Sequence, residues 1–131
     1  MNPKLSIGII TILLAMALAA CARTAPIYNV SEAPVVVTNN NYNLTDMKNA
    51  ILRAGTSLGW QMQAVDQNNI IGTLNIRNHM AQVDINYDKS NYSINYRDSK
   101  ELNYDGTKIH SNYNGWIQRL DQAIKTQLIS L

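Results

Sequence analysis

The 131 residues contain no phenylalanine, one cysteine, at position 21, and two histidines, His79 and His110. A single cysteine excludes a disulfide framework, which needs an even set. Neither histidine has a neighbour at metal-ligand spacing, such as a second histidine four residues along a helix. Each reads as a loop or capping residue, although the fold could bring the two together. Six glycines are scattered without a phosphate-binding pattern, and calcium-loop spacing is missing. There is no G-x-S-x-G elbow and no S-x-x-K pair. Asp66, Asp84 and Asp88 fall in turns or on a strand's polar side, so a glycosidase pair 5 to 10 Å apart in a cleft has no support. No motif implies a cofactor, and the chain reads as a non-enzyme; a small hydrolase would have to rest on His110. Eleven Lys and Arg stand against nine Asp and Glu. That balance is too even for a nucleic-acid surface or a polybasic membrane patch.

The N-terminus is more telling. Lys4 is followed by an apolar run from Ile7 to Leu18, broken by Gly8 and Thr11, and then by small residues up to Cys21. This order is that of a secretory signal peptide. The run is shorter than the ~20 apolar residues of a membrane-spanning helix. Leu18-Ala19-Ala20-Cys21 resembles the lipobox of bacterial lipoproteins, in which the signal is removed and the cysteine becomes the acylated first residue. The resemblance implies signal recognition through Leu18, Ala19 and Ala20, and lipid attachment at Cys21. Three acyl chains exceed what stable anchoring needs. With Ala22 rather than Asp next, it further implies export to the outer membrane, facing the periplasm. The mature chain would keep ten basic and nine acidic residues.

The expected organisation is a signal peptide at 1–20, a lipidated cysteine with a flexible tether at 21–42, and an α+β periplasmic domain at 43–131. The tether carries Pro26, Pro34 and the run Asn39 to Asn41. Fully extended, about 20 residues would reach ~60–70 Å. Val35-Val36-Val37-Thr38 is its sticky element. It either docks on the domain's own sheet as a short edge strand, the preferred reading, or pairs with the sheet edge of a partner.

Asn43 is a good N-cap for a helix from Leu44, with Asp46 in its first turn and Gly59 as terminator. Apolar residues alternate with polar ones from Trp60 to Tyr96, through turns at Asp66–Asn69 and Asp88–Asn91. This pattern predicts four antiparallel strands with one apolar face. Residues 98–111 read as irregular, with Leu102, Tyr104 or Ile109 adding a short strand or anchoring the loop. Tyr113, Trp116, Ile117, Leu120, Ile124 and Leu128 mark a final helix, on which Asp121 and Lys125 can pair. The expected fold is a four-stranded antiparallel meander in the order αββββα, with both helices on one face.

The segment around Trp60, the run Tyr92 to Tyr96, and Ile109 to Ile117 resembles small bacterial envelope lipoproteins in layout, a likeness that carries no activity. The function expected is that of an accessory or structural subunit of a cell-envelope protein complex, with Val35, Val36 and Val37 as candidate contacts. The alternative is a module binding cell-wall glycan or a small ligand. The seven tyrosines motivate it, and Tyr92, Tyr104 and Tyr113, which flank turns, are its best surface candidates. Cys21→Ser should abolish acylation, because a hydroxyl replaces the acceptor thiol, and leave unprocessed precursor. Mass spectrometry of the mature N-terminus checks this; a free Cys21 in the wild-type chain would overturn the assignment.

Overall fold

A computed structural model describes residues 23–131; Leu18, Ala19, Ala20 and Cys21 lie outside the described residues. The elements are β1 (Thr24–Pro26), β2 (Val30–Pro34), α1 (Leu44–Ser57), β3 (Gln61–Asp66), β4 (Asn69–Ile76), β5 (His79–Tyr87), β6 (Asn91–Lys100), β7 (Lys108–His110) and α2 (Ser111–Ile129). The class is α+β with two helices, as expected. The expected meander forms from β3 to β6, but β2 adds a fifth strand, giving the antiparallel order β2-β6-β5-β4-β3. A separate ribbon pairs β1 with β7.

Local chemistry explains the boundaries. Asn43 accepts the Asp46 N–H, and Asp46 in return accepts the Asn43 N–H, each at 2.9 Å. This reciprocal cap satisfies two amides at the start of α1. Gly59, at φ +87°, carries the chain out of the helix, and the Trp60 N–H closes back on the Gly55 carbonyl. Gly55 is also needed for space. A Cβ there would fall 2.3 Å from the Met62 sulfur of β3.

The alternation places Ile70, Leu74, Ala81, Val83, Ile85, Tyr87 and Ile94 in one core. Met47, Ala50, Ile51 and Ala54 of α1 join them, with Ile117, Leu120, Ile124 and Leu128 of α2. The opposite sheet face is polar, as expected, and its groups bind each other: Gln82 donates to Thr73 at 3.1 Å, and Arg97 pairs with Asp84 at 2.9 Å. Arg97 is the extra residue of a bulge in β6, where Val83 opposes Tyr96 and Gln82 opposes Asp98. The 98–111 segment is more ordered than expected. β6 runs on to Lys100, Leu102 is buried, and Ile109 sits inside β7.

The tether expectation needs correction. Residues 24–26 and 30–34 are strands of the domain itself, and Val30 is only 6% exposed, opposite Ile94. The edge strand predicted at Val35–Thr38 lies immediately upstream, at Val30–Pro34. A bulge hid it. Ser31 and Glu32 together oppose Ser93, with Glu32 at φ +50° and its N–H on the Ser93 hydroxyl at 3.0 Å. Two residues opposite one break the period of two that marks a strand. Val30→Asp should therefore cost ~3 kcal/mol or more, by placing an unpaired carboxylate in the core. On a free tether it would cost nothing. Denaturant unfolding of the two chains distinguishes these outcomes.

Candidate interaction surface

After Pro34 the chain crosses the C-terminal half of α2. The Val35 N–H bonds to the Ser90 carbonyl at 2.8 Å, and the Thr38 hydroxyl donates to the Ile129 carbonyl at 2.6 Å. Between these ties Val35 and Val37 are half-buried, whereas Val36 is 59% exposed. Val36 and Pro34 form one wall of an apolar groove of about 350 Å³. Leu128, Ile129, Gln122 and Lys125 form the other, and Ile129 is 53% exposed. The one cation in the wall, Lys125, is held by Asp121 at 3.0 Å. Two exposed branched side chains facing one trough make a surface suited to an apolar side chain of a partner. Of the expected contacts only Val36 lines it. Ile129 was missed, although it is an apolar residue off the α2 stripe, and that displacement was its signal.

Tyr92 is not a surface residue. It is 1% exposed, because the turn ends at Ser90 and Tyr92 already lies in the β6 ladder opposite Tyr87. Its hydroxyl donates to the Asp121 carboxylate, which also receives Lys125. Burial, then the Asp121 charge and hydrogen bond, push the phenol well above its ordinary pKa. Tyr113 is fully buried too, and desolvation raises its pKa likewise. Its hydroxyl has no partner. Tyr104 does reach the surface, at 39% exposure. It stacks on Tyr96 with ring centroids 4.1 Å apart, and Tyr96 meets Tyr113 edge-on at 5.9 Å.

The fold brings the histidines together, with ring centroids 6.3 Å apart, and sets Trp116 6.5 Å from His79. His79 Nδ1 lies 2.7 Å from the Glu101 carbonyl, which places its proton there. His110 Nδ1 instead accepts the Asn112 N–H and caps α2, as a capping residue should. Among the described residues no group of three His, Cys, Asp or Glu could hold a metal ion. The acids are engaged in structure. Asp88 accepts the N–H groups of Asn91 and Ser90, both at 2.7 Å, which hold its carboxyl below the usual range. Asp66 caps its own turn through Asn68.

No family model matches the chain, and no curated protein or solved structure matches it either.

Two tyrosine substitutions should affect stability differently. Tyr92→Phe strips a hydrogen bond from a buried carboxylate and should cost ~1.5–3 kcal/mol. Tyr113→Phe removes only an unpaired buried hydroxyl and should be neutral or stabilising. The phenols also fix the alkaline limit. Both pKa values are raised in the folded chain, so their contribution is complete below the unfolded value of ~10 and is lost as pH rises above it. Urea midpoints at pH 8 and 11 check both statements; the loss at pH 11 should shrink in the double Phe variant.

Proposed function

We propose that the chain is a lipoprotein anchored through Cys21 in the outer membrane and facing the periplasm. It serves there as a non-enzymatic accessory or structural subunit of a cell-envelope protein complex. The lipobox-like Leu18-Ala19-Ala20-Cys21 supports the anchor. The groove between Val36 and Ile129 supports the partner. It is apolar, and it borders β2, whose outer edge carries no neighbouring strand among the described residues. An apolar trough beside an open strand edge offers a protein both side-chain burial and backbone hydrogen bonds.

A photo-crosslinking residue in place of Val36 should capture a specific envelope protein in intact cells. Ile129→Asp should reduce capture at least tenfold while leaving the unfolding midpoint within ~0.5 kcal/mol, since the side chain is exposed. Recovery of monomer alone would count against the subunit reading. Glycan binding is the second reading, and the Tyr104 ring exposed on Tyr96 favours it. Saturable binding to cell-wall sacculi, lost in Tyr104→Ala, would promote it over the first.

A further inference from the structure

We propose that the end of the domain built around β1 and β7 lies directly on the membrane, its cations on the phosphates of anionic lipid headgroups. The inference rests on the proposed acylation of Cys21 and adds to it the orientation and contact surface of the domain. Its starting point is where the fold begins. The Arg23 carbonyl accepts the Ser111 N–H at 3.0 Å, and Thr24 pairs with His110. Only Ala22 separates Arg23 from Cys21. Two residue steps span at most ~7 Å, comparable with the thickness of the headgroup layer on one side of a bilayer. A lipid on Cys21 therefore holds the start of β1 at the headgroups. The 60–70 Å of reach that a free tether would have given is used up in strands.

The topology determines which residues share that end. Pro26 pairs with Lys108. The His110 N–H bonds to the Leu102 carbonyl, and His79 contacts the Glu101 carbonyl. His79 follows the turn containing Arg77, and Met80 opposes Lys100. Trp116 lies against His79, and Arg119 reaches back to the Gly115 carbonyl one turn away. Arg23, Arg77, Lys100, Lys108 and Arg119 are all exposed, and among the described residues none is ion-paired. They stand against Asp98, Glu101 and Asp105, of which Asp105 is turned inward onto the Lys108 and Thr107 amides. The opposite end carries Asp46, Asp66 and Asp88 with Lys48 and Lys89. The near-neutral total thus conceals a segregation, with the basic end at the anchor. Trp116, half-buried, and Tyr104 at the same end are the aromatic types that favour a membrane interface.

The test uses the full chain as matured in bacterial cells, purified and reconstituted into vesicles of phosphatidylethanolamine and phosphatidylglycerol. With Cys21 acylated, one added cysteine is the sole free thiol. A fluorophore is placed at Asn78→Cys, in the turn beside Arg77, or at Gln67→Cys, at the other end of β4, about 25 Å away. A headgroup-borne collisional quencher should quench the first label at least fivefold more than the second. The difference should collapse in the triple variant Arg77→Glu, Lys100→Glu, Lys108→Glu, and in 1 M salt, which screens the contact. Equal quenching of both labels in the unaltered chain, with the protein floating with the vesicles, overturns the seating and leaves the lipoprotein reading standing. Failure to float overturns the lipoprotein reading itself. Unequal quenching that survives both charge reversal and salt overturns the role of the cations.

Discussion

One apolar sheet face, presented by Ile70, Leu74, Val83, Ile85 and Ile94, has to be kept from water, and the placement of the other elements follows from that need. Two helices with narrow apolar stripes cover it, and neither stripe could be buried without it. Ala50, Ala54 and Gly55 let α1 approach closely enough for Met62 to lie across it. Val30 closes the open side beside Ile94. The lack of phenylalanine then turns packing into a hydrogen-bonding problem, because tyrosine fills core positions and brings a hydroxyl with it. Tyr92 resolves this with Asp121, Tyr96 with Ser99 and Tyr87 with the Gln67 carbonyl. Tyr113 does not.

What could be read in the sequence was periodic or locally capped. Asn43, Asp46 and Gly59 bound α1 where their chemistry requires. The alternation from Ile70 to Tyr96 carried the register of three strands, with turns at 66–69 and 88–91. What could not be read had no period. Val30–Pro34 is five residues long with a bulge inside it, and β1 is three residues; β7, also three, was open only as one of several places for a short strand, at Ile109. Such short pieces become strands only because distant partners supply hydrogen bonds. Tyr92 misled because proximity to a turn was taken for exposure, whereas a residue one step past a hairpin turn can already face the core. The placement of the site was legible only in part. Val36 could be picked out as one of three valines, but its selection depends on Val35 and Val37 being half-buried where Val36 is exposed.

The N-terminal arm carries consequences that composition alone could not show. A proline-containing, Asn-rich stretch ahead of a first helix has the composition of a spacer. Here it is bound on both sides of Ile27, through Lys108, His110 and Ser111 at one end and Tyr92, Ile94 and Ser90 further on. From there the half-buried Ile27, Ala33 and Val35 pack against the core. The arm therefore contributes to the stability of the domain it would otherwise only tether. The lipid proposed for Cys21 would, through such an arm, fix orientation as well as location.

That geometry also relates the two surfaces. The N-terminus of α2 lies at the β1–β7 end, and the groove lies along its last turns, between Gln122 and Ile129. At 1.5 Å per residue, the centre of the groove is ~20 Å from Ser111 along the helix. A domain held at its basic end would carry Val36 and Ile129 at up to that distance from the lipid, beyond the acyl chains that would otherwise compete for an apolar trough. The partner best suited to such a groove is then a protein with mass outside the bilayer, and the sequence alone could not separate it from a partner within the membrane plane.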